Sequence, residues 1–124
     1  LLIRNYLFCL SDQYIHLFIS DSSFTPYLVT GVLLNRYKVA ALRLDSVNFE
    51  SITLEDALMG NYSASINTIG YDWKYYDFQN GFIIHPNINY IIKDYEGRFY
   101  KLRFLDFYNS QGQKGAPEFE FQEL

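Results

Sequence analysis

One cysteine, one methionine, one tryptophan, two histidines and three prolines in 124 residues leave few side chains for thiol or metal chemistry. Cys9 alone can form neither an intrachain disulfide nor a cysteine metal cluster. A lack of disulfides leaves the compartment open. A basic excess is also missing: the formal net charge is −4, which argues against a phosphate-backbone partner and hence against nucleic acid. No stretch approaches the ~18 to 20 uninterrupted apolar residues of a membrane-spanning helix. Tyr27–Leu34 is apolar but short and holds Thr30 and Gly31, so it reads as a core strand. There is no glycine-rich phosphate loop and no zinc spacing. Two histidines and one cysteine supply no nucleophile constellation. The acids Asp72, Asp77, Asp94, Glu96 and Asp106 fall mainly in turns or on strand faces, without an acid–base pairing. The expectation is a protein that is not an enzyme.

No repeat, low-complexity tract or proline-rich linker divides the chain, and residues 1–124 read as one domain. At this length about two-thirds of the unfolded chain's surface can be buried. The chain begins at Leu1. Leu1–Leu10 carries Arg4 and Cys9 and superficially resembles a lipoprotein signal. Phe8 nevertheless stands before Cys9 where a small residue is needed, and Asn5 interrupts the apolar run. An ordinary strand is the better reading, with residues 1–30 either truncated or divergent.

What the sequence does contain is aromatic. Hydrophobic residues make up 49%, charged residues 19% and aromatics another 19%, with 12 Tyr and 11 Phe. Such side chains suit a pleated, half-buried surface, and the composition is globular. Tyr14–Ser20, Tyr27–Leu34 and Tyr37–Leu44 read as strands, the first closed by the polar cluster at Asp21, Ser22 and Ser23. One helix signal is present. Thr53 as N-cap, Glu55 and Asp56 in the first turn and Gly60 as a stop predict one or two turns over Leu54–Met59.

Beyond Ile69 the pattern is β. Trp73 and Tyr75 alternate with Lys74, then Tyr76 and Phe78 take the opposite parity, which predicts a bulge or two buried faces. Asn80-Gly81 and Pro86-Asn87 are turn signals. Tyr90–Lys93 and Arg98–Tyr108 flank Asp94–Gly97 as a hairpin, with Gly97 supplying a positive φ. Tyr100, Leu102 and Phe104 share one face, Lys101 and Arg103 the other. After Phe104 the apolar parity switches to Leu105 and Phe107. Asn109–Gly115 is a polar turn, and Glu118–Gln122 alternates as a half-exposed final strand. The fold class is all-β, mainly antiparallel and sandwich-like, with one short helix near 54–59.

An ordered set of motifs adds a second line of argument. Trp73, Asp94–Gly97, Tyr100-Lys101-Leu102-Arg103-Phe104, Tyr108-Asn109, Lys114-Gly115 and Phe119-Glu120-Phe121 follow one another in this order. The stretch Ile69–Leu124 thereby resembles the C-terminal part of the HmuY-like haem-binding proteins, surface or secreted proteins of Bacteroidetes-type bacteria. Val47–Ala57 looks like the segment before it, less specifically, and Leu1–Thr30 matches poorly. The resemblance implies a largely β fold and a hemophore-like carrier. Such a carrier captures free haem, or takes it from a haem-carrying host protein, for an outer-membrane receptor. It implies a secreted or surface location and no chemistry on the haem itself.

Haem capture needs an apolar cleft, one or two axial ligands and polar partners for the propionates. The stretch after Trp73 reads Lys-Tyr-Tyr-Asp-Phe and has no histidine, so a bis-histidine site is not carried over from the family. His85 and Met59 are the candidate iron ligands. The plainer reading of His85 is a solvated or hydrogen-bonded histidine beside a turn, and that of Met59 a core gap-filler. His16, within Tyr14–Ser20, reads as structural. Trp73, Tyr75, Tyr76 and Tyr90 are candidate porphyrin contacts, with Phe78 beside them; the plainer reading of most of these aromatics is sheet core. Lys93, Arg98, Lys101 and Arg103 either hold propionates or form the wet face of a sheet. The competing class is a non-catalytic β-rich surface module that binds a glycan or a protein, with haem ligation lost.

Overall fold

A computed structural model describes the backbone of residues 7–19 and 23–124 and the side chains of residues 31–124. Eight strands follow in order: β1 (Leu7–Ile19), β2 (Ser23–Leu34), β3 (Ala40–Asp45), β4 (Lys74–Asp77), β5 (Gly81–Ile84), β6 (Ile88–Lys93), β7 (Phe99–Tyr108) and β8 (Lys114–Glu123). Between β3 and β4 lie a single 3-10 turn, Phe49–Ser51, and helix α1, Leu54–Met59. The all-β reading with one short helix holds. Strands β3, β6, β7 and β8 form an antiparallel sheet in that order, while β1–β2 and β4–β5 are separate antiparallel hairpins. The readings at His16 and Ser20–Ser23 concern side chains or backbone outside the described residues, apart from the backbone of His16 and Ser23. Cys9 lies within β1.

The central sheet is apolar on both faces, and its register sorts the side chains. Ala41 lies opposite Ile92, and Arg43 opposite Tyr90; Tyr90 lies opposite Leu102 and Ile92 opposite Tyr100. Side chains alternate along a strand, so Ala41, Tyr90, Ile92, Tyr100, Leu102 and Phe104 share the first face. There they pack with Val32, Leu34, Ile69, Trp73 and Phe107 into the larger core. Ile91 points the other way and packs with Phe49, Ile52 and Ala57, flanked by Leu42, Leu44, Tyr62 and Phe99. The 3-10 turn and α1 cover this second face. Fully buried apolar side chains such as Ile91 and Leu102 each contribute about 1.5–3 kcal/mol.

Helix α1 is short because its signals are local. The Thr53 hydroxyl accepts from the Asp56 N–H, and the Asp56 carboxylate accepts from the Thr53 N–H, a complete capping box. The Gly60 N–H then closes on Ala57 O at the C-terminal end. The β6–β7 turn forms as expected, with Gly97 at φ 81°. A register shift between Phe104 and Asp106 supplies the anticipated bulge in β7. Phe107 is buried beyond it, while Leu105 is exposed.

Three expectations need correction. Tyr37 and Lys38 are not extended: the Asn35 side chain accepts from the Tyr37 N–H, Lys38 takes φ 53°, and β3 starts at Ala40. The last strand begins at Lys114 rather than Glu118. Around Trp73 the burial does not alternate. Trp73 sits in a turn before β4, both it and Lys74 are buried, and Tyr75 and Tyr76 are exposed. The cause is that hairpin β4–β5 meets the core through Phe82 and Ile84 of β5, which leaves the tyrosines of β4 outside.

Candidate functional site

Hairpin β4–β5 and the turn before it carry four of the six candidate contacts or their neighbours. Trp73 anchors it from beneath. Its ring is 1% exposed, stacked on Phe104 at 4.0 Å and edge-on to Phe107 at 5.8 Å. Its Nε1 donates to Gly70 O at 3.1 Å. The neighbouring Asp72 is held by Arg43, whose guanidinium also reaches Asp45. That bridge ties the Trp73 turn to β3. These two acids, Asp45 first, raise the Arg43 pKa above its already high ordinary value, against the opposing effect of burial.

On the strands, Lys74 pairs with Ile84, Tyr75 with Ile83 and Tyr76 with Phe82. Ile84 and Phe82 pack inward, so Tyr75 and Ile83 stand on the hairpin's outer face. His85, one residue beyond Ile84, shares that outward parity. Its backbone N–H donates to Trp73 O at 3.0 Å, and its ring lies 4.8 Å from that of Tyr75 with a 35° tilt. The ring is half-buried. Among the described residues neither imidazole nitrogen has a hydrogen-bond partner.

Exposed aromatics continue along the hairpin. Tyr75 is 44% exposed, Tyr76 57%, and Phe78 at the turn 95%. The Tyr76 ring meets Phe78 and Phe82 edge-on at 5.7 and 5.2 Å. Sheet core is therefore the wrong reading for Tyr75, Tyr76 and Phe78. It is right for Tyr90, which is 0% exposed and lies against Phe104. Among the described residues the Tyr90 hydroxyl has no hydrogen-bond partner, and burial pushes its pKa up.

Met59 is elsewhere. It ends α1, which packs on the second face through Ala57, whereas β5 packs on the first face. At 81% exposed it fills no core gap. The structure brings His85 together with Tyr75 and does not bring Met59 to them.

A hollow of about 280 Å³ lies between Ile84, Pro86, Arg103, Phe104 and Leu105. It flanks His85 in sequence, yet His85 does not line it. Sites for drug-sized ligands run to roughly 300–1,000 Å³, so the hollow by itself does not enclose a porphyrin. Among the described residues no group of three or more His, Cys, Asp or Glu could hold a bare metal ion.

Cations proposed for propionates are largely committed. Arg98 is paired with Asp94 and Glu96, and Arg103 with Glu120 and Glu50. Lys101, read from its alternation as a wet-face residue, is buried. Its ammonium donates to Phe49 O at 3.0 Å and lies over the Phe49 ring. Lys74 is likewise buried, 4.2 Å from the Trp73 ring and 4.6 Å from the Phe107 ring. Both escaped the sequence reading because alternation cannot tell a snorkelling lysine from one drawn onto aromatic faces and carbonyls. Tyr108 was also missed as a contributor: its hydroxyl accepts from the Phe82 N–H at 2.8 Å. Its only sequence signal was its place in the Tyr108-Asn109 motif.

A family model described as HmuY protein matches residues 16–121. The match reaches far into the N-terminal half, where motifs were weakest. No curated protein and no solved structure matches the chain.

Proposed function

The chain belongs to the HmuY family, a haem-binding, non-enzymatic family that is generally extracellular or surface-associated, and on that footing we propose that it is a haem carrier. It captures haem, free or from a haem-carrying host protein, and delivers it to an outer-membrane receptor for bacterial uptake. It does so as a secreted or surface-held protein. No helix among the described residues is long and apolar enough to cross a membrane.

The observation that carries the reading is His85. A half-buried imidazole, without a hydrogen-bond partner among the described residues, stands beside Tyr75 on the hairpin's outer face. In this proposal His85 is the axial ligand. Tyr75, on the face of His85, supplies a ring contact to the macrocycle, Tyr76 reaches it only past the hairpin's edge, and Trp73 and Tyr90 support the hairpin from the core. Met59, on the other face, serves as ligand only if a second haem or a rearranged α1 is involved. Titration of the purified protein with haemin, followed by visible absorption, tests this. The expected result is a saturable, shifted Soret band that His85→Ala alters and Met59→Ala leaves in place. A spectrum identical to free haemin at every ratio refutes haem capture.

One observation favours a second reading. Tyr71, Tyr76 and Phe78 expose aromatic surface, as expected of a module that docks a glycan or a protein. Under that reading ligand binding requires no iron and depends on these side chains rather than on His85.

A further inference from the structure

Strand β5 runs beside β7 without pairing to it: among the described residues its ladder partner is β4. Its outward N–H groups thus need another acceptor, because an unmatched, part-buried backbone donor is costly. Tyr108 answers one of them, its hydroxyl accepting from the Phe82 N–H at 2.8 Å. The fit is close. Gly81, at φ 79°, leaves no room for a side chain, since a Cβ there would collide with the Tyr108 hydroxyl. The Phe82 ring then packs edge-on to Phe107 at 5.0 Å. At the other end of β5 the His85 N–H closes on Trp73 O. The Tyr108 bond ties β5 to β7, the His85 bond extends the β4–β5 ladder to the core-anchored Trp73, and His85 lies three residues from Phe82, about 10 Å along one strand.

We propose that Tyr108 is a positioning residue for His85: by holding the Phe82 N–H it fixes the hairpin on which the imidazole is presented. This rests on the haem reading above. A rigid arm presents the ligand without an ordering cost at binding, and losing that pre-organisation weakens affinity.

The test uses the full chain with Tyr108→Phe, which removes only the hydroxyl, and Tyr62→Phe as a matched control. The Tyr62 hydroxyl donates to Ala57 O at 2.7 Å on the opposite face, so each variant loses one side chain–backbone hydrogen bond. Haemin affinity, the low-spin fraction of bound ferric haem and the melting temperature are read for both, beside His85→Ala. The expected result is that Tyr108→Phe weakens haemin binding by about threefold to tenfold, the worth of one hydrogen bond, and lowers the low-spin fraction. Tyr62→Phe should melt lower to a similar extent and leave affinity and spectrum unchanged. Equal affinity and spectrum for Tyr108→Phe and the unaltered protein overturn the proposal, as does an equal loss in Tyr62→Phe. If His85→Ala alters binding while Tyr108→Phe does not, the positioning role fails and the haem reading stands. If His85→Ala changes nothing, His85 is not the ligand and the positioning role falls with it, while haem capture itself falls only if the spectrum is that of free haemin.

Discussion

Lys101 lies on a strand whose alternation points it to the same side as Arg103, yet the two meet different surroundings. The ammonium of Lys101 sits under the 3-10 turn, donating to Phe49 O and reaching Ile52 O at 3.5 Å. It adds a charged donor to Phe49 O, which also accepts from the Ile52 N–H at 3.3 Å. Replacing it with methionine keeps the stem and removes the donor. Lys101→Met is expected to lower stability by about 1–3 kcal/mol, the worth of a buried hydrogen bond from a charged group, read as a lower urea midpoint at unchanged slope. An unchanged midpoint would mean that water reaches those carbonyls. Trp73 teaches the complementary lesson. Its importance is legible from being the lone tryptophan in a family-like motif, but its role as an anchor, stacked on Phe104 and bonded to Gly70, depends on partners distant in sequence.

At the scale of elements, the hairpin turns share a device. Asp77 accepts from the Gln79 and Asn80 N–H groups. Asp94 accepts from the Glu96 and Arg98 N–H groups and from the Arg98 guanidinium. Asn109 accepts from the Gln111 and Gln113 N–H groups. Each side chain mimics a backbone turn. At Asp94 burial alone would raise the pKa, but the hydrogen bonds from Arg98 and Glu96 outweigh it and hold the carboxyl below its ordinary value. Asp77 is lowered by the N–H groups of Asn80 and Gln79. A depressed folded pKa gives stability that is present above the unfolded value, near 3.9, and is lost as pH falls through the folded one. Asp94→Asn is therefore expected to cost about 1–3 kcal/mol at pH 7. The gap to the unaltered protein should narrow below about pH 4 in acid-dependent chemical denaturation. A gap constant down to pH 2 would remove Asp94 from the acid response. These turns were readable because turn chemistry is local. The β4 tyrosines were not: whether Tyr75 and Tyr76 are buried depends on which edge of the hairpin meets the core, and that is settled by Phe82 and Ile84 packing against Phe107 and its neighbours.

For the whole molecule, the central sheet divides the candidate ligands. The first face carries the larger core and the hairpin with Tyr75 and His85, and the second carries α1 and Met59. Alternation along β7 made the face of Tyr100, Leu102 and Phe104 legible from the sequence but read the face of Lys101 as wet, and the motif order made the family legible. Neither could say which ligand belongs to which face, because that depends on where the residues between β3 and β4 cross the sheet.

The central claim is that this protein holds haem through its iron at His85. Affinities for haemin and for iron-free protoporphyrin, measured side by side on the unaltered protein and on His85→Ala, test it most directly. The account predicts haemin bound at least about tenfold more tightly, a difference of ~1.4 kcal/mol, with the advantage lost in His85→Ala. Equal affinity for the two macrocycles, unchanged by the substitution, would contradict it and leave an aromatic hairpin that recognises flat or apolar partners without iron.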